Sequence, residues 1–128
     1  MPFVRITVSG PTLAPQQVSL LTTGMTELMA SVLGKRADLT SVLVVQPATA
    51  GWTVGGAAAK VAAHVDATIT AGTNLPGEKA RFIEQSMRLL KSVLGSELHP
   101  VTYVVVNEVP ASAWGYDGQT QESRKLAA

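Results

Sequence analysis

Ser31-Val32-Leu33-Gly34 recurs as Ser92-Val93-Leu94-Gly95. Outward from this tetrapeptide the two halves of the chain superimpose with a shift of 62 positions and a slip of one. Met25 meets Met87, Leu28 meets Leu90, Thr40 meets Thr102 and Trp52 meets Trp114. Gly10 meets Gly72 and Gly56 meets Gly118. An internal repeat constrains the fold before any motif does, because each copy must be the same supersecondary unit.

The unit reads as β-α-β. Phe3 to Val8 is β-branched and alternates, with Val4, Ile6 and Val8 on one face. Ser9-Gly10-Pro11-Thr12 breaks it. A helix is predicted from Ala14 to Leu33, with Pro15 in its first turn and Gly34 after its end. Its apolar stripe is Val18, Leu21, Met25, Leu28, Met29 and Val32. Leu39 to Val45 is an almost wholly apolar strand, expected to be buried on both faces. In the second half the strand is His64–Ala71. The helix is Glu78–Leu94, with Ala80, Ile83, Met87, Leu90 and Leu94 as its stripe, and the closing strand is Val101–Val106. The whole chain, 1–128, is therefore expected to be one α+β domain with pseudo-repeats at 1–58 and 61–119 and a short tail at 119–128. Four strands form one sheet with two helices on one face. Each unit of about 60 residues is too small to cover its sheet alone. The bare face calls for assembly around a closed symmetry axis.

Composition narrows the function classes. Hydrophobic residues are 46% and charged residues 15%, enough for a core. A net charge of +1 offers no footprint for nucleic acid or an anionic membrane. Cysteine is absent, which removes thiolate chemistry and disulfides. Neither a signal peptide nor a membrane span is legible, so a cytoplasmic location is expected. Two separated histidines, His64 and His99, make no ligand cluster, so no metal and no cofactor is expected.

Pro2 follows the initiator methionine. Removal of Met1 exposes a secondary amine, which acts as base or nucleophile when a low pKa keeps it neutral. Together with the β-α-β repeat, the Leu39-Thr40-Ser41-Val42 strand and the Trp-Gly-Tyr-Asp-Gly turn at 114–118, this proline resembles the tautomerase superfamily. The double length is similar to its fused members of the malonate semialdehyde decarboxylase and cis-3-chloroacrylic acid dehalogenase type. The resemblance implies β-α-β-β-α-β chains assembled as homotrimers. It also implies one catalytic proline per chain, here Pro2. Ala63-His64 stands at the matching place in the second half and supplies no second amine.

The same resemblance places Trp52 and Trp114 at an aromatic wall, with Tyr116 two residues on. Both tryptophans and Tyr103 also admit a plain reading as core or interface residues. Arginines that bind substrate carboxylates in the family are missing here. Pro11-Thr12 stands at the first such position, and Leu43 and Tyr103 at the second. Thr70-Ala71-Gly72-Thr73-Asn74 occupies the end of the third strand, so Thr73 and Asn74 are the candidates there. Either Arg5, Arg36, His64 or backbone amides take over, or the substrate is not a carboxylate held by a bidentate fork. Asp38 lies where decarboxylase-like members carry an acid, and its alternative is an ordinary turn residue. The function expected is a cofactor-free keto–enol tautomerase. Pro2 would be the general base on small 2-oxo or enol acids such as phenylenolpyruvate. The alternatives are a decarboxylase or hydratase/dehalogenase of a three-carbon acid, with Pro2 as general acid, and a trimer without chemistry.

Overall fold

The structure is a computed structural model that describes residues 2–48 and 51–127. Strand β1 (Phe3–Ser9) leads to helix α1 (Pro15–Ser31), a 3-10 turn (Ala37–Leu39) and strand β2 (Ser41–Val45). A hairpin of β3 (Thr53–Val54) and β4 (Ala57–Ala58) closes the first half. The second half repeats the order: β5 (Ala62–Thr70), α2 (Pro76–Leu94), β6 (Val104–Val109), and a hairpin of β7 (Gly115–Tyr116) and β8 (Gln119–Thr120). Residues 121–127, expected as part of a tail, form helix α3 (Gln121–Ala127).

Each β-α-β unit makes a parallel pair, β1 with β2 and β5 with β6. The two units join through the antiparallel pair β1–β5, giving the sheet order β2-β1-β5-β6. Val4, Ile6 and Val8 of β1 and Val65, Ala67 and Ile69 of β5 face the helices and are buried. They pack with Leu21, Met25, Met29, Phe82 and Leu90 into one apolar core. The alternate residues (Phe3, Arg5, Thr7; His64, Asp66, Thr68, Thr70) lie on the opposite face, away from α1 and α2.

Burial places the slip between the repeats. Leu21, Met25 and Met29 are fully buried on α1, and Phe82, Ser86 and Leu90 on α2. The equivalent positions therefore differ by 61 through the helices, as Gly34 and Gly95 do. Past the helices the difference becomes 62, since Val4 pairs with Val42 while Val65 pairs with Val104. The second helix-to-strand connection is one residue longer. This corrects the expected stripe of α2: Ala80 and Ile83 are exposed, and Ile83 is 42% accessible. Matching Met25 to Met87 rotates the helix by one residue, about 100°. The true partner of Met25 is Ser86, whose hydroxyl lies 3.8 Å from the Met25 sulfur.

Two further expectations change. β2 is an edge strand, and Leu43 on it is 42% exposed, so it is not buried on both faces within one chain. The last sheet strand is Val104–Val109 rather than Val101–Val106, and Val101 is 45% exposed. Apolar β-branched residues at 101 and 104–106 read alike in sequence. The register of Val65 against Val104 selects the later ones.

Both hairpins turn through two residues with positive φ: Gly55 and Gly56 in one, Asp117 and Gly118 in the other. That conformation matches the twist of tight hairpins and favours Gly, Asn and Asp. Among the described residues no helix is long and apolar enough to cross a membrane.

Candidate active site

β1 begins beside the fully buried ring of Pro2. The Pro2 carbonyl accepts a hydrogen bond from Ser41 N–H (3.2 Å), which ties residue 2 to β2 at the sheet's edge. A cavity of about 290 Å³ opens here, lined by Pro2, Phe3, Thr68, Trp114 and Gly115. Its walls are mainly apolar. Phe3 and Thr68 are register partners on the bare sheet face, and Trp114 and Gly115 come from the second hairpin.

That hairpin is anchored. Trp114 Nε1 donates to Thr70 Oγ1 (3.1 Å), and the Trp114 carbonyl accepts from Gln121 N–H (2.9 Å) at the start of α3. A Cβ at Gly115 would overlap the Gln119 carbonyl, so only glycine lets β7 and β8 approach as they do. Tyr116 turns away from the cavity. The Arg124 guanidinium stacks 3.7 Å over its ring and donates to its carbonyl (2.9 Å).

Beyond Trp114 lies a second cavity of about 330 Å³, lined by Lys35, Thr70, Gly72, Thr73, Gln121 and Lys125 among others. Lys35 Nζ donates to Thr73 Oγ1 (2.8 Å), whose hydroxyl in turn donates to the Thr70 carbonyl (2.6 Å). Burial holds the Lys35 ammonium below the usual lysine range, although the charges of Glu78 and Glu108 pull it back up. Both acids have other partners. Glu78 Oε1 accepts from Leu75 N–H (2.7 Å), and Glu108 pairs with Lys79 (3.1 Å). The Gln121 amide nitrogen is buried without an acceptor. Thr70 stands two residues from Thr68 on the same face of β5, about 6–7 Å away, so the two cavities flank the Trp114–Thr70 hydrogen bond.

The structure thus brings Pro2 and Trp114 to one cavity, and Thr73 to its neighbour. Asn74 braces the site from behind: its Nδ2 donates to the Leu33 carbonyl (2.9 Å) and joins the β5–α2 loop to the end of α1. Asp38 is exposed and pairs with Arg36 (2.7 Å) in the turn before β2. His64 pairs across the sheet with Thr7, four residues or about 13 Å along β5 from Thr68, and so lies outside the Pro2 cavity of its own chain. Tyr103 is 69% exposed at that same far end, where its carbonyl accepts from Val65 N–H. Trp52 precedes the first hairpin and is half-buried, outside the Pro2 cavity.

Several site residues escaped sequence reading. Phe3 and Thr68 look like ordinary strand residues, and only the β1–β5 register joins them. Lys35 reads as the basic end of a helix. Gln121 and Lys125 sit in a segment without a motif. On the bare face, Asn107 Nδ2 donates to Asp66 Oδ1 beside Arg5, in a polar pocket next to Phe3.

Comparison with known proteins agrees with this geometry. The family model described as tautomerase enzyme matches residues 2–62, the first β-α-β unit and its hairpin. No sequence among the curated proteins matches the chain. Among solved structures it is similar to a wild-type fused 4-OT solved as a symmetric trimer. There the TM-score is 0.83 at 15% identity, over 95% of this chain and 98% of that one. It is also similar to a wild-type fused 4-OT solved as an asymmetric trimer (TM-score 0.79, 20% identity, 94% and 98% covered). A macrophage migration inhibitory factor-like protein from Entamoeba histolytica gives TM-score 0.77 at 22% identity, with 93% and 97% covered. These identities speak for the fold, and the family model speaks for the first half. The tautomerase model thus covers the first β-α-β unit, residues 2–62, and the solved fused 4-OT structures share the fold of nearly the whole chain, two β-α-β units in tandem.

Proposed function

We propose that the protein is a cofactor-free keto–enol tautomerase in which the Pro2 nitrogen, freed by removal of Met1, is the general base. The observation that carries this reading is the burial of Pro2 in an apolar cavity walled by Phe3 and Trp114. An ordinary α-amino group titrates at about 7.7–8.0. Desolvation disfavours its charged form, so the amine is neutral and able to accept a proton near neutral pH. It takes the proton of an enol hydroxyl or an acidic carbon and returns it to the other position. Small 2-oxo and enol acids such as phenylenolpyruvate fit a cavity of about 290 Å³.

The assembly we propose is a homotrimer with the bare sheet faces turned inward. Phe3, Leu43 and Tyr103, between 40% and 69% exposed, are the apolar groups on or beside that face which a neighbouring chain would cover. Sedimentation equilibrium that found a stable monomer at micromolar concentration would overturn this assembly. We place the chain in the cytoplasm.

The deciding experiment compares three forms: protein with Pro2 as its first residue, Pro2→Ala, and protein with an extra residue before Pro2. Ketonisation of phenylenolpyruvate should fall by about 10²–10⁴-fold in Pro2→Ala, the share typical of a positioned acid–base group. It should vanish when the nitrogen is an amide, with the circular dichroism spectrum unchanged. Equal activity of the blocked and free forms would remove Pro2 from the mechanism.

A further inference from the structure

Among the side chains that wall the Pro2 cavity, Thr68 and Trp114 alone carry a polar hydrogen. The Trp114 indole N–H is committed to Thr70 Oγ1 (3.1 Å). The Thr68 hydroxyl, half-buried on the bare face of β5, has no partner among the described residues. The reason is its place in the fold. In a helix or a turn a threonine hydroxyl reaches a main-chain carbonyl three or four residues back, as Thr26 and Thr73 do. In mid-strand, between β1 and β6, those carbonyls lie in the ladder instead. Asn107, the partner of Thr68 on β6, gives its amide N–H to Asp66. Thr68 stands directly opposite Phe3, about 5 Å away between Cβ atoms, and Phe3 follows Pro2 in the chain. The pseudo-symmetric position offers an internal control. Thr7, 61 residues earlier, stands opposite His64 on the same face, where Ala63 takes the place of the proline.

We propose that Thr68 is a catalytic residue of the Pro2 centre, its hydroxyl donating a hydrogen bond to the C2 oxygen of an enol or 2-oxo acid. This rests on the reading of Pro2 as the catalytic base. When the Pro2 nitrogen takes a proton from C3 of the 2-oxo acid, the C–H electron pair becomes the C2–C3 double bond. The π pair of the C2 carbonyl moves onto its oxygen. In the other direction the nitrogen takes the enol proton and leaves the same charge on the same oxygen. Both directions pass through an enolate, and the Thr68 O–H faces the atom that carries its charge. The threonine keeps its proton throughout, so Pro2 alone carries the transferred one. In a mainly apolar cavity such a donor acts with little competition from water.

The test compares Thr68→Val, which keeps the shape and removes the hydroxyl, with Thr68→Ser and with the control Thr7→Val, all in the full-length protein with Pro2 first. Each is titrated by NMR with phenylpyruvate and with 3-phenylpropanoate, which lacks the C2 oxygen. Thr68→Val should weaken phenylpyruvate binding about 5-fold, the share of one neutral hydrogen bond, and leave 3-phenylpropanoate binding unchanged. Its kcat for ketonisation of phenylenolpyruvate should fall about 10-fold or more, because the bond strengthens as charge builds on the oxygen. Thr68→Ser and Thr7→Val should keep both properties. Unchanged kcat in Thr68→Val overturns the proposal. So does an equal loss of affinity for the two ligands, or an equal effect of Thr7→Val. The proline reading fails separately, in protein with an extra residue before Pro2. Undiminished turnover there removes Pro2 as the base. Loss of phenylpyruvate affinity on adding Thr68→Val to that blocked form leaves the hydroxyl contact standing.

Discussion

The two halves of this chain share a topology and differ in what sits at their ends. At one end, residue 2 is a proline beside an anchored tryptophan and a cationic hollow. At the other, its 61-residue counterpart is Ala63, an internal residue paired with Val8 in mid-sheet, beside a hollow bearing Ser96 and Glu97. The second hairpin is held by the Trp114–Thr70 bond and by α3, whereas the first hairpin pairs chiefly with itself. The lesson is that a duplicated fold preserves the core, where both copies must pack. The surface ends, which packing does not constrain, are free to diverge in chemistry.

The cores themselves differ in a way that mutation can expose. Phe82 takes the place of Leu21, and Ser86 the place of Met25, so a large ring offsets a small polar residue one turn away. Phe82→Ala should cost about 3–5 kcal/mol by leaving a cavity. Ile83→Ala, one position on, should stay within about 0.5 kcal/mol because the residue faces outward. Chemical denaturation of both variants checks this. Comparable losses would restore the stripe through Ile83 and break the 61-residue equivalence.

A smaller effect separates the two tryptophans. Trp114→Phe deletes the hydrogen bond to Thr70 and should cost about 1 kcal/mol. Trp52 has no such bond among the described residues, and Trp52→Phe should cost less in the isolated chain. Thermal unfolding of the two variants ranks them, and a larger loss at Trp52 would show that the first hairpin is the better anchored.

The smallest effect lies at the helix starts. Gln17 Oε1 accepts from Ala14 N–H (2.8 Å), and Glu78 Oε1 accepts from Leu75 N–H (2.7 Å), in the same N3 position. Only the second is ionisable. The bond from Leu75, then that from Asn74, holds the Glu78 carboxyl below the usual range. A depressed carboxylate binds fewer protons folded than unfolded. Its contribution is therefore full above the ordinary glutamate value of about 4.3 and is lost as pH falls through the folded value. Glu78→Gln should flatten the acid limb of the stability curve below about pH 4.3 and change little at neutral pH. An unchanged acid limb would show that the bond to Leu75 carries no linkage.

Alternation of Val4, Ile6 and Val8, the helix punctuated by Pro15 and Gly34, and the recurrence of Ser-Val-Leu-Gly were legible because backbone period and turn chemistry are local properties. They were enough for the repeat and the two-layer architecture. The phase of α2 was not legible. Met87 and Ser86 are neighbours in sequence, and only contact with Met25 across the core chooses between them. Nor was β6, because apolar residues at 101 and 104–106 compete until pairing with Val65 selects one register. The site divides the same way. Pro2 and Trp114 announce themselves by residue type, while Phe3, Thr68, Lys35 and Gln121 meet only when strand pairing, a helix end and a C-terminal helix converge from distant parts of the chain. Local rules set what each segment is, and the burial of its apolar face against other segments sets which of its side chains stand together.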